Sequence, residues 1–187
     1  MKKIGLLVLL AAMAFAERSG PYLGAGYGSA TFNDGSYFDV NGYTQGVDDS
    51  SEGFRLYGGA YINKYFSVEL GYNDFGEYKA SNTLSQNIND SFSALGVSVL
   101  VHYPLAQERF DSYIQVGAAD MNWDESGAAK RSDSAGAIIL GIGGAYRFSD
   151  DFSLRVGYEN YSFELLDGGR TFDWSIDSVY ATFEVQF

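Results

Sequence analysis

Few residues in this chain could do chemistry. His102 is its single histidine and it has no cysteine. No phosphate-binding loop, dinucleotide fingerprint or metal motif occurs, and the many G-x-G strings sit inside alternating segments, where glycine allows close packing. No metal and no cofactor are therefore expected. A histidine can serve as a general base only beside a nucleophile. The nearest in sequence is Ser98, four residues away, and the chain does not read as an enzyme. The informative charges are Arg55, Glu69, Arg147, Arg155, Glu159 and Glu184, each standing among small residues in an alternating segment. Enclosed there, they must pair or be hydrated. The remaining acids gather in polar stretches: Asp34 and Asp39; Asp48, Asp49 and Glu52; Asp167 and Asp173. Their spacing does not supply the six to eight oxygens of a calcium site. They read as solvated loops, with cation bridging or a basic partner as the functional alternative.

The elements that position these charges are strands. Ser175 to Phe187 alternates to the last residue, with Val179, Ala181, Phe183, Val185 and Phe187 on one face and Tyr180, Thr182, Glu184 and Gln186 on the other. This is the period of a strand with one apolar and one polar face. Seven further segments share it: Tyr22–Gly28, Phe54–Ile62, Phe66 through Phe75 to Tyr78, a fourth from Ala94 to Tyr103, Phe110–Trp123, Ala135–Phe148 and Phe152–Leu165. Long polar stretches at Asn33–Gly53, Lys79–Asp90, Asp124–Asp133 and Asp167–Asp173 read as loops. Asn63-Lys64, Leu105–Arg109 and Ser149–Asp151 read as turns. Long and short connections thus alternate, as in an up-and-down barrel of the outer membrane.

The N-terminus has a separate logic. Lys2 and Lys3, the apolar run Ile4 to Leu10 and Ala14-Phe15-Ala16 form a secretory signal peptide, residues 1–16. Residues 17–187 are then one barrel domain. Without the two lysines the balance becomes 10 basic against 24 acidic residues, which excludes nucleic acid as a partner. An aromatic content of 17% argues against disorder.

The two faces of each strand decide its solvent. Phe, Leu, Ile, Val and Tyr fill one face, and Gly, Ala, Ser and the six charges the other. An eight-stranded barrel is narrow enough to be filled by side chains. The small face therefore fits the lumen and the large apolar face fits lipid. Aromatics near the strand ends suggest two interfacial girdles, with Tyr103, Phe110, Tyr146, Phe148, Phe152 and Phe187 in one and Trp123, Phe163 and Trp174 in the other. The fold class is all-β: an eight-stranded antiparallel transmembrane barrel in the cell outer membrane, both mature termini periplasmic.

Several patches resemble a known family. Leu56 to Gly76 (L-Y-G-G-A-Y-I-N-K-Y-F-S-V-E-L-G-Y-N-D-F-G) resembles the second and third strands of the OmpA-type barrel. So do His102 to Leu105 with the D-S-Y-I-Q-V-G-A that follows, and Gly143 to Tyr158. Small barrels of the OmpX and OmpW kinds are related. The peptidoglycan-binding domain that often follows such a barrel is not expected here. The resemblance implies that Glu69 and Arg155 match an interior acid and arginine proposed to gate a narrow water path. Leu100, Gln115 and Ala145 stand where that family carries further charges. The terminal aromatic, with Phe183 and Val185 before it, resembles the signal read by the barrel-assembly machinery. Expected partners are outer membrane lipid and lipopolysaccharide, the assembly machinery and periplasmic chaperones, and an unidentified extracellular ligand of the loops. The function these features favour is structural or surface-interacting. A narrow low-conductance pore is the alternative, and a lipid-modifying barrel enzyme a third reading.

Overall fold

The computed structural model describes residues 19–42, 45–81, 87–105, 109–127, 131–167 and 169–187; the expected signal peptide, 1–16, lies outside them. The strands are β1 (Gly20–Asn33), β2 (Gln45–Asp48), β3 (Ser50–Asn63), β4 (Phe66–Ser81), β5 (Asn87–Leu105), β6 (Phe110–Gly127), β7 (Arg131–Arg147), β8 (Phe152–Asp167) and β9 (Arg170–Gln186). A short helix, α1 (Tyr37–Asn41), follows β1. Consecutive wall strands pair antiparallel. β2 only lengthens the β3–β4 ladder, pairing Asp48 with Lys79. β1 pairs with β9 from Tyr22↔Gln186 to Asn33↔Ser175. The result is a closed eight-stranded antiparallel barrel, and closure leaves no open edge in lipid. No described helix is long and apolar enough to cross a membrane.

The tight turn after β3 centres on Lys64-Tyr65, one residue beyond the expected Asn63-Lys64. Asn63 Oδ1 accepts hydrogen bonds from the backbone N–H groups of Tyr65 (2.8 Å) and Phe66 (3.0 Å), which fixes the reversal.

The long stretches read as loops are largely strand. β4 and β5 extend into 79–90 and pair as far as Ser81↔Asn87. β6 and β7 take up most of 124–133, with Glu125↔Arg131. β8 and β9 meet at Asp167↔Arg170, and 33–53 contains α1, β2 and the start of β3. The cause is a change of solvent along each strand. On β9 the apolar residues at the short-turn end, Val179 and Phe183, point outward, but farther along Ile176, Trp174 and Phe172 point inward and are buried. β8 switches between outward Tyr158 and inward Tyr161, and β7 around outward Ile138 and inward Ile139. The lower half is apolar outside and polar inside; the upper half is the reverse. Outward apolar alternation ends where lipid gives way to water, although the strand continues.

Upper outward positions carry Glu52, Glu77, Asp120, Asp124, Glu164 and Asp173. On β5 this collar runs from Asn87 to Leu95, about 20 Å at the rise and tilt of a barrel strand. The expected lower girdle (Tyr103, Phe110, Tyr146, Phe148, Phe152, Phe187) lies on the exposed outer face. The expected upper girdle does not exist as such: Trp123, Phe163 and Trp174 are buried inside the barrel.

Candidate functional site

The lumen has three storeys. At its centre five charges alternate in sign along a chain, Glu159, Arg55, Glu69, Arg155, Glu184, all buried. Glu69 accepts from Arg155 Nη1 at 2.6 Å and from Arg55 Nη2 at 2.5 Å. The outer ends are closed by Arg55 Nη1 to Glu159 and Arg155 Nη2 to Glu184. Phenols complete the shell. Tyr57 and Tyr61 each donate to Glu184 at 3.1 Å, and Tyr161 donates to Glu159 at 2.7 Å. The Arg55 guanidinium lies 4.5 Å from the Tyr180 ring centroid, and that of Arg155 4.7 Å from Tyr57. Paired guanidinium and carboxylate with satisfied lone pairs is the condition under which buried charge is tolerable.

Strand register makes the cluster. Arg55 and Asn73 are paired across β3–β4, and Arg155 and Thr182 across β8–β9. The long side chains from opposite walls then meet across the lumen. Glycines give them room: a Cβ at Gly24 would overlap the Tyr57 ring, and one at Gly143 the Tyr113 hydroxyl.

Five of the six sequence-predicted charges form the quintet. Arg147 faces inward on β7 near the short-turn end and is partly exposed, two residues beyond Ala145, the partner of Arg155, in the row of Ser153 and Glu184. Leu100, Gln115 and Ala145 are buried inside the wall, with Gln115 Nε2 donating to Ser98 Oγ at 3.0 Å. Phe183 and Val185 lie on the outer face of β9; Phe187 follows its end, is exposed, and donates its N–H to Pro21 O at 2.9 Å.

The lower storey holds a constellation that spacing did not reveal. His102 Nδ1 lies 2.8 Å from Asp111 Oδ2, and its Nε2 2.8 Å from Ser67 Oγ, not Ser98. All three are buried. Asp111 was within reach of hairpin counting, since Pro104 pairs with Asp111 across β5–β6. Ser67 was not, because it comes from β4 and needs the β4–β5 register. The serine hydroxyl sits in a packed wall beneath Tyr22, and strand pairing engages the neighbouring backbone N–H groups that a tetrahedral intermediate would require.

The upper storey is an aromatic plug. Asp34 starts α1, its Oδ2 accepting from the Phe38 N–H at 2.8 Å. Gly35, Ser36 and Gly42 take positive φ (55°, 70° and 82°), which turns the chain inward and out again. Tyr37 packs on Phe172 (centroids 5.1 Å) and Trp123 (6.0 Å), and Phe38 stacks on Tyr78 at 4.6 Å. Burying Tyr37 and Phe38 is worth about 3–6 kcal/mol together.

The comparisons with known proteins agree with this architecture. The family described as "Outer membrane protein beta-barrel domain" matches residues 4–187. Outer membrane protein A of Shigella flexneri is 28% identical over 176 residues, covering 85% of this chain and 48% of the relative; that of Salmonella typhi is 27% identical with the same coverage. The chain thus spans about half the length of these curated relatives. Among solved structures, neisserial surface protein A has a TM-score of 0.64 at 16% identity, covering 91% of this chain and all of that one. Ail, the attachment invasion locus protein of Yersinia pestis, has 0.54 at 14%, covering 90% and 99%. OprG of Pseudomonas aeruginosa has 0.54 at 13%, covering 92% and 98%. The chain belongs to the outer membrane protein β-barrel family, as a small OmpA-like barrel of the outer membrane.

Proposed function

We propose that this barrel is a structural and surface-interacting protein whose rigid extracellular collar carries its contacts, rather than an open pore or an enzyme. The observation that carries the reading is the filled lumen. The charge quintet occupies its centre, and an aromatic plug closes the extracellular end above it. Two packed layers in series support a filled lumen over a conducting one. The collar supports the other half of the reading, because it holds an acidic surface beyond the lipid without the entropy cost of ordering loops. A homologous fold, that of Ail, has been solved with the heparin analogue sucrose octasulfate. The carboxylates on this collar have the wrong sign for such a polyanion, and the partner chemistry they favour is cationic.

Single-channel recording together with loop-deletion mutants scored for surface phenotype tests the proposal. The expected result is baseline conductance from the refolded protein and loss of the phenotype on shortening 79–90 or 124–133 with the barrel still folded. Steady ohmic conductance from the wild type would favour the pore instead. Altered lipid A on overexpression would favour the lipid-modifying enzyme.

A further inference from the structure

The lower storey is physically connected to the central charges. Tyr22, on β1, has one hydroxyl proton and two acceptors at the same distance, Ser67 Oγ at 3.2 Å and Glu69 Oε2 at 3.2 Å. Ser67 Oγ is in turn 2.8 Å from His102 Nε2, and His102 Nδ1 is held by Asp111. The carboxylate places the proton of neutral His102 on Nδ1. Nε2 then accepts the Ser67 hydroxyl proton, and Ser67 Oγ accepts from Tyr22. When His102 takes a second proton, Nε2 becomes a donor to Ser67 Oγ. The Ser67 hydroxyl must turn its own proton to the Tyr22 oxygen, and the Tyr22 proton is committed to Glu69. No bond other than the new N–H forms; the hydroxyls only reorient.

We propose that His102, Ser67 and Tyr22 form a proton-sensing relay that reports protonation at the periplasmic end of the lumen to Glu69, the carboxylate shared by Arg55 and Arg155. Glu69 Oε2 is also the oxygen that Arg155 Nη1 holds at 2.6 Å. A second full donor there weakens that bond and moves Arg155 toward Glu184. Groups from two neighbouring strands also face His102. β6 contributes Asp111 and Tyr113, whose ring is 5.8 Å from the imidazole, and β3 contributes Tyr61 at 5.2 Å. Tyr61 donates onward to Glu184 at 3.1 Å. Arg147 lies at the same end on β7, two residues beyond Ala145, which pairs with Asp111. Asp111 thus stands directly against His102 as its counter-charge.

The test is NMR of the refolded, isotope-labelled barrel between pH 8 and pH 5, following the His102 ring and the Arg155 guanidinium. In the wild type both move with one midpoint. In Ser67→Ala, and separately in Tyr22→Phe, His102 still titrates but the Arg155 displacement falls by about threefold or more. Each variant is scored only in the heat-modifiable folded fraction, and either one suffices if the other does not fold. Equal Arg155 displacement in a folded variant would mean a through-space field rather than a relay, and would overturn the proposal. So would an Arg155 that does not respond in the wild type, or a His102 that takes up no proton in this range.

Discussion

Glu69 and Arg155 are 86 residues apart in sequence and 2.6 Å apart across the lumen. Neither is alone, since Arg55 claims the other oxygen of Glu69 and Glu184 the other nitrogen of Arg155. Breaking such a pair leaves uncompensated buried charge, at about 3–5 kcal/mol. Glu69→Ala is therefore expected to lower stability by that order in urea unfolding from detergent or vesicles. Glu69→Gln, which keeps the size and can still accept from one arginine, should lose less. A folded Glu69→Ala barrel as stable as the wild type would remove the quintet from the account of stability.

Conductance should follow both seals together. With the plug intact, Glu69→Ala should stay near the bare-bilayer baseline. Conductance should appear when Glu69→Ala is combined with Tyr37→Ala and Phe38→Ala. Strong conductance from Glu69→Ala alone would show that the aromatic plug does not seal.

The plug also has a built-in reporter, because the protein's two tryptophans, Trp123 and Trp174, both lie in it. Tyr37→Ala with Phe38→Ala should expose them to water and shift their emission to the red. Stability should fall by roughly 3–6 kcal/mol, with membrane insertion unchanged. Unshifted emission would mean that α1 does not cover the indoles.

Asp90 makes the collar pH-sensitive. It lies above the lipid belt, five residues beyond Leu95, buried beside Trp123 and across from Glu125. Burial pushes its carboxyl up to about 7; Glu125 adds to the rise and the Trp123 indole opposes it. A folded pKa above the unfolded value contributes stability present at low pH and lost as pH rises through the folded pKa. Lowering the pH from 8 to 5.5 should thus stabilise the barrel by about 2 kcal/mol. Asp90→Asn should abolish most of that dependence and be the more stable form at pH 8. An unchanged pH profile in Asp90→Asn would refute the assignment.

Phe187 closes the seam. Its N–H bonds Pro21 O, and its ring stands exposed on the lipid side. Deleting it should slow assembly into membranes, measured as the heat-modifiable folded fraction, before any surface phenotype changes. Normal insertion of the truncated chain would count against an assembly role.

The sequence by itself determined the lower half. Period-two alternation with large apolar residues on one face can be satisfied in only one way once lipid is the outer solvent, so strand identity, inward parity and the inward charges were legible. The same logic failed above the belt. There the outer solvent is water, the apolar residues cross to the inner face, and Trp123, Phe163 and Trp174 became core where a girdle was expected. Parity also says which way Arg55, Glu69, Arg155, Glu159 and Glu184 point, but not which of them touch. Only the tertiary structure decided that, because stagger between strands and barrel closure set the height of each side chain in the lumen. Those two long-range quantities join Glu69 to both arginines, leave Arg147 near the periplasmic end and bring Ser67 of β4 against His102 of β5.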